Sequence, residues 1–278
     1  MSLRLEPLSS PADRADPALE LATVVRNDEI APGVWRLTLE APVIARVARP
    51  GQFAMLTVAR RGESVPVLPR PMALYAWDER QGTVDIVYRV VGDGTRVLTT
   101  WRPAETMTTV GPLGRPFRLE PETRSILLLG RGIGICSLTG LATEARSTGV
   151  AVDAVVSARE REALIGSDDF VRLEVASLTE VTDADGTSAV DRLGDRLATL
   201  ASEAARWQQV FVCGSERLMR LATEVARASQ ASVQVSIEAR MACGLGFCHG
   251  CATGMVGASE ESPLVCVDGP VFACRWDA

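Results

Sequence analysis

The chain has 278 residues, 47% of them hydrophobic and 23% charged, with a formal net charge of −6. All 29 basic residues are Arg and the only His is His249, which excludes Schiff-base and pyridoxal chemistry, a P-loop lysine, multi-histidine zinc sites and a Rieske centre. An acidic balance with scattered Arg speaks against nucleic acid as a partner, which needs clustered basic charge.

Taken in chain order, residues 1–19 are rich in Pro, Ser, Ala and Asp and are expected to form a loose extension. The first 25 residues lack the apolar core of a signal peptide, and no apolar run approaches the roughly 18 residues of a membrane span. A cytoplasmic protein without a membrane partner is therefore expected. Residues 20–119 carry short alternating runs, Val34-Trp-Arg-Leu-Thr-Leu39, Gln52-Phe-Ala-Met-Leu-Thr-Val58 and Thr83-Val-Asp-Ile-Val-Tyr-Arg-Val-Val91, punctuated by Gly and Pro. Period-two alternation with such turns predicts a small antiparallel barrel.

At residue 120 the texture changes. Ser125-Ile-Leu-Leu-Leu129 is continuously apolar, as in a parallel strand buried on both faces, and Val150–Val156 and Gln209–Cys213 are further β-like runs between helical segments. Leu218, Leu221, Ala222, Val225 and Ala226 have the spacing of one helix face. Residues 120–230 thus predict a doubly wound α/β domain. Residues 231–278 hold loops, glycines and four of the seven Cys, a small C-terminal segment too poor in periodic apolar residues for a large core.

Three sets of residues carry chemistry. Cys243-x4-Cys248-x2-Cys251-x14-Cys266 has the ligand spacing of a plant-type [2Fe-2S] centre, with Gly244, Gly246 and Gly250 letting the backbone wrap closely. A zinc ribbon, which favours two short Cys pairs, is the competing reading. His249 is expected to be a loop residue, and Cys274 to lie outside the ligand set. Gly130-Arg-Gly-Ile-Gly134 follows a buried strand and precedes a helix, the setting of a pyrophosphate-binding turn; Cys213-Gly214 ends another strand at the same sheet edge. In the β-rich part, Arg70 suits a phosphate, Gly94 and Thr95 open a turn or helix, and Tyr75 and Tyr88 suit stacking on a flavin or adenine ring.

Together these motifs resemble the ferredoxin reductase superfamily. From about Leu21 to Phe272 the chain is similar to the electron-transfer subunits of NAD-dependent, heterodimer-type dihydroorotate dehydrogenases, most specifically in Glu238–Cys251 and Val265-Cys-Val-Asp-Gly-Pro-Val-Phe272. The resemblance implies FAD in the barrel on Arg70, Pro71, Met72, Ala73, Val87, Tyr88, Arg89, Gly94 and Thr95. It implies NAD on Gly130, Gly132, Gly134, Cys213 and Gly214, and a [2Fe-2S] cluster on Cys243, Cys248, Cys251 and Cys266. It further implies electron flow from the FMN of a dihydroorotate-oxidising partner through the cluster and FAD to NAD+, in pyrimidine (UMP) biosynthesis, within a heterotetramer of two of each subunit. The alternatives are the same cofactor set serving a ferredoxin, a hydrogenase or an oxygenase, and a regulatory iron-sulfur sensor on a disused reductase scaffold. Four positions depart from the family pattern: Ala73 for a hydroxyl residue, Arg131 for Gly, Cys136-Ser137 for Ala-Pro, and Ser215 for Pro.

Overall fold

In the computed structural model, residues 3–8, 16–203, 207–254 and 262–276 are described. The first strand, β1, spans Leu3–Pro7. The β-rich part follows in the order β2 (Ala18–Ala31), β3 (Val34–Glu40), α1 (Pro42–Val47), β4 (Phe53–Leu56), β5 (Arg70–Ala73), β6 (Ala76–Asp78), β7 (Thr83–Arg89), α2 (Asp93–Leu98) and β8 (Thr106–Leu113). Its seven strands form one antiparallel sheet in the order β5-β4-β8-β2-β3-β7-β6. The fourteen-residue β2 pairs with both β3 and β8, and irregular registers at Val24/Arg26 and Glu29/Ala31 bend it between them. The edge strands β5 and β6 are joined by only Leu74 and Tyr75, so the sheet curls until its edges meet at an open seam. Alternating residues, among them Leu37, Leu39, Val84, Ile86 and Tyr88, fill the interior. The expected antiparallel barrel is present.

The second part begins with β9 (Ser125–Arg131), a short 3-10 turn over Gly132–Ser137 and α3 (Thr139–Ser147). It continues with β10 (Ala151–Ala158), α4 (Ser167–Arg172), β11 (Ser177–Thr182), α5 (Val190–Glu203), β12 (Gln209–Cys213), α6 (Glu216–Ser229), β13 (Ser232–Ser236) and β14 (Val271–Trp276). The sheet order is β1-β14-β13-β12-β9-β10-β11; β9 to β13 are parallel and β14 and β1 antiparallel. Chain order reverses between β9 and β12, which makes that crevice the switch point of a doubly wound sheet. One core, with α5 and α6, packs on one face of the sheet; a second, with α3 and α4, packs on the other and takes in Val34, Tyr75 and Val87 of the barrel. On α6 the predicted face of Leu218, Leu221, Ala222, Val225 and Ala226 is the buried one.

Two expectations about the ends need correction. Residues 3–7, expected to be loose, form β1 in register with β14, Leu5 opposite Cys274, and cover an edge that would otherwise leave backbone groups unpaired. The extension's residues 1–2 and 9–15 lie outside the described residues. Residues 231–278, expected as a segment of their own, enter the α/β sheet at both ends because Ser232-Val-Gln-Val-Ser236 and Val271–Trp276 alternate as strands; only residues 237–270 leave the sheet. Among the described residues no helix is long and apolar enough to cross a membrane.

Candidate functional site

A cleft of about 400 Å3 opens where the barrel seam meets the carboxyl edge of the parallel sheet. Arg70, Pro71, Met72 and Ala73 of β5, with Val87, Tyr88 and Arg89 of β7 and Thr95 of α2, line the barrel side; Gly134 and Cys213 line the other. Residues as far apart in the chain as Arg70 and Cys213 thus share one wall-to-wall space of the size that holds cofactors.

On the barrel side the fit to a phosphate is close. Arg70 Nη1 donates to the Leu68 carbonyl oxygen at 2.6 Å, which steers the guanidinium against the start of α2. A Cβ at Gly94 would stand 2.1 Å from Arg70 Nε, so only glycine admits this arrangement. The Thr95 hydroxyl accepts the Val91 and Gly92 N–H groups at 2.9 and 3.1 Å, fixing the first turn of α2. Gly94 itself does not line the cleft. Tyr88 lines it, its hydroxyl donating to Asn27 Oδ1 at 3.0 Å while Asn27 Nδ2 donates to the Leu98 carbonyl at 2.8 Å; burial pushes this phenol upward and keeps it neutral. Tyr75 does not join it. Past the end of β5 the chain turns across the seam, and the Tyr75 hydroxyl donates to Asp169 of α4 with Arg36 stacked 5.3 Å from the ring. It ties the barrel to the α/β unit instead of stacking on a cofactor.

On the sheet side the glycine turn is shaped by contact. A Cβ at Gly134 would meet the Cys213 carbonyl oxygen at 2.8 Å, and one at Gly130 would meet Ile135 Cδ1 at 2.2 Å. Gly132 has open space but a φ of +55°, which disfavours a side chain there. Gly130 and Cys213 are register partners, so the two predicted strand ends are neighbours. Gly130, Gly132 and Gly214 shape this edge without lining the cleft. The departures have local reasons: Ser137 donates to the Gly134 carbonyl oxygen at 2.8 Å, and Ser215 caps α6 by accepting from Leu218 N–H at 3.4 Å.

Cys136, Ser137, Ser236 and Glu238 also line the cleft and were not among the residues assigned to it from sequence. Glu238 follows the carboxyl end of β13, so the rule that places ligands at that edge was the available signal. Glu238 is exposed as a residue, but the loss of water round its carboxyl, set in the cleft wall, raises that group above its ordinary value. Cys213 is pushed up to about 12 by burial and then by the charge of Glu238, against the hydrogen bonds of Ser137 and Ser236; burial, then Cys213, raises Cys136 well above the usual thiol range. Both thiols are neutral at ordinary pH and are not nucleophiles.

The four cluster cysteines come together as two pairs. Cys243 and Cys248 interact side chain to side chain, as do Cys251 and Cys266, and Cys243 also acts on Cys266. Among the described residues no three His, Cys, Asp or Glu side chains gather round one point. Burial pushes Cys243 up, but the Leu245, Cys248 and Phe247 N–H groups and the Cys248 side chain outweigh it and bring the thiol down to about 7. Burial and then the Cys251 thiol push Cys266 up to about 12. Gly244 and Gly246 have φ of +69° and +89°, and a Cβ on them would meet Met55 at 2.6 Å and Val267 at 2.8 Å. The loop is thereby pressed onto Met55 of β4, whose register partner on β5 is Pro71. His249 is exposed with φ of +54°, and Cys274 sits on β14 against Thr223, 3.7 Å from its hydroxyl, away from the cluster.

A sequence profile described as the iron-sulfur cluster binding domain of dihydroorotate dehydrogenase B matches residues 238–275. A dihydroorotate dehydrogenase B (NAD(+)) electron transfer subunit of Geobacillus kaustophilus is 32% identical over 91% of this chain and 96% of its own length. The chain belongs to this family of electron-transfer subunits. A relative of the same description from Streptococcus pneumoniae strain R6 is 30% identical over 91% of this chain and 96% of its own. Among solved structures, an NADH-dependent reduced ferredoxin-NADP oxidoreductase described for flavin-based electron bifurcation superposes with a TM-score of 0.76 at 26% identity, covering 94% of this chain and 91% of that one. Phthalate dioxygenase reductase shares the fold, with a TM-score of 0.59 at 18% identity over 76% of this chain and 64% of its own.

Proposed function

We propose that the chain is the electron-transfer subunit of a dihydroorotate dehydrogenase, carrying electrons from the FMN of a dihydroorotate-oxidising catalytic subunit, through a [2Fe-2S] cluster and FAD, to NAD+. The observation that supports this most strongly is the set Cys243, Cys248, Cys251 and Cys266, inside the stretch 238–275 that matches the cluster-binding profile, on a loop seated against the strand next to Arg70–Ala73. FAD held there by Arg70 and the residues of β5 and β7 would supply a carrier able to exchange electrons singly with a cluster and in pairs with a nicotinamide.

The chain's own residues position and insulate. Arg70 and the first turn of α2 hold phosphate, β5 and β7 hold the ring system, and the Gly130–Gly134 turn with Cys213-Gly214 takes the dinucleotide. Much of the lining is apolar, and the Cys136 and Cys213 thiols in it are neutral and take no part in proton transfer. No acid-base dyad is required. Met241 lines the cleft and Cys243 follows two residues later, so the backbone between them spans at most about 7 Å.

Cys248 and Phe247 are exposed, Phe247 at 84%, and this apolar tip beside the cluster is where the catalytic subunit docks in a heterotetramer of two of each subunit. The test is co-purification with an FMN-containing, dihydroorotate-oxidising subunit, with light scattering for stoichiometry and dihydroorotate-dependent reduction of NAD+ as the readout. A complex that oxidises dihydroorotate without reducing NAD+ refutes the reading. The likeness to the ferredoxin-NADP oxidoreductase favours a second reading, a ferredoxin as partner; NADH-dependent ferredoxin reduction with no response to the dihydroorotate-oxidising subunit would establish it.

A further inference from the structure

Arg131, where the family pattern has glycine, carries an inference that rests on the placement of the dinucleotide over the Gly130–Gly134 turn. Arg131 is the last residue of β9, and its side chain lies across the carboxyl ends of the next two strands. Nη1 donates to Ser157 Oγ of β10 at 2.7 Å, and Nη2 donates to Asp183 Oδ2, just past β11, at 2.6 Å. The other Asp183 oxygen accepts the Ser188 hydroxyl, so both carboxylate oxygens are engaged. Ser215 and Arg217, at the start of α6, line the opposite side of the same hollow, and Arg217 acts on Asp183 electrostatically. The hollow measures about 10 Å3, room for about one water molecule.

Without Asp183 this is the donor set of a phosphate site: two guanidinium groups and three serine hydroxyls outside the carboxyl ends of parallel strands. A guanidinium fork matches phosphate bidentately, and an arginine at this edge is the usual means of accommodating the 2′-phosphate of NADP. Here the fork is already occupied. We infer that Arg131 and Asp183 form a masked phosphate site: the carboxylate neutralises the arginine and occupies its donors, so that a dinucleotide bearing a 2′-phosphate is refused and NAD(H) is selected. The device is repulsive as well as subtractive. A 2′-phosphate brought to the hollow would find Arg131 and Ser188, two of its lining residues, already engaged by the negative Asp183 carboxylate behind them, whereas a free 2′-hydroxyl does not depend on them. Arg161, further along this edge, is likewise tied to a carboxylate, Glu180, at 3.4 Å.

The experiment is calorimetric binding of NAD+ and NADP+ to the oxidised, FAD- and cluster-loaded protein, so that affinity is read without turnover. The wild type binds NAD+ at least about tenfold tighter than NADP+, and Asp183→Asn strengthens NADP+ binding about tenfold with little change for NAD+. Adding Arg131→Gly to Asp183→Asn removes the gain, and Asp183→Glu keeps the wild-type preference. Arg131→Gly alone, which leaves the carboxylate bare, weakens NADP+ further; should Asp183→Asn fail to hold its cofactors, this variant decides, and stronger NADP+ binding in it overturns the inference. Gly134→Ala serves as the test of placement and weakens both dinucleotides. If it does so while Asp183→Asn leaves their ratio unchanged, the masking is refuted and the placement stands. If Gly134→Ala alters neither affinity, the placement falls and the inference with it.

Discussion

Replacing Gly244 by Ala tests whether the cluster loop is held by its contact with the barrel. Gly244 has φ of +69°, and a Cβ there would stand 2.6 Å from Cγ and 2.9 Å from Sδ of Met55. The left-handed backbone costs an alanine about 1–2 kcal/mol. Met55 is only 2% exposed and cannot swing out, so overpacking adds about 1–3 kcal/mol. Gly254 supplies the control: its φ is +73°, but nothing lies within 4 Å of the added Cβ, so Gly254→Ala carries the backbone cost alone. The loss of unfolded-chain entropy on Gly→Ala is common to both and cancels. Denaturant titration followed by visible cluster absorbance, with iron content at each step, should therefore place Gly244→Ala about 1–3 kcal/mol below Gly254→Ala. If the two variants agree within about 0.5 kcal/mol and hold the same iron, the Met55 contact does not anchor the loop.

The remaining predictions concern the ligands, the Glu238 carboxyl and the exposed tip. Cys248→Ser and Cys266→Ser abolish the visible cluster spectrum, whereas Cys274→Ser, away on β14, keeps it; iron retained in full by either of the first two would remove that residue from the ligand set. Glu238 has a carboxyl raised above the ordinary 4.5 by the loss of water round it, so the folded protein holds that proton more firmly than the unfolded chain. Its contribution to stability is thus full below about 4.5 and falls as pH rises through the raised folded value. The stability advantage of Glu238→Gln, measured by urea titration, should be absent in acid and grow toward alkaline pH; an advantage independent of pH counts against that loss of water as the cause. Phe247→Ala should change stability by less than about 0.5 kcal/mol because the side chain is 84% exposed, yet weaken capture of the catalytic subunit in surface plasmon resonance. Undiminished capture would move the docking surface elsewhere.

What could be recognised in the sequence was what local pattern encodes. The alternation of Val34–Leu39 and Thr83–Arg89, the unbroken apolar run of β9 and the one-sided face of α6 each depend on neighbours within a few residues, and each element formed as expected. The cysteine spacing is local too, and it falls within the stretch that matches the cluster-binding profile. The features that escaped depend on partners far along the chain. Leu3–Pro7 is a strand only because β14, about 270 residues later, offers it an edge. Tyr75 lies five residues after Arg70 and was grouped with it, but its hydroxyl partner is Asp169 of another element. Ser236 belongs to no motif and Glu238 stands only at the head of the cysteine motif; both enter the cleft because β13 ends beside β12. Asp183 gave no signal at all until Arg131 was seen to reach it across β10.

The connectivity of the C-terminal segment explains why cluster and cleft form one device. The chain leaves the sheet at Ser236, contributes Ile237, Glu238, Ala239 and Met241 to the cleft wall, and reaches Cys243 two residues later. It returns through Cys266 to Pro270, which lines the same cleft, and re-enters the sheet in β14. The cluster loop is therefore suspended by both ends from the walls of the cleft, and pressed at Gly244, near its start, onto Met55 in the strand beside Pro71. A centre fixed at three points to the residues that shape its neighbour's site cannot change its distance from that neighbour without deforming the site. That rigidity, and not proton-transfer side chains, is what relaying electrons asks of a protein, which is how a chain with a single His and no Lys can serve.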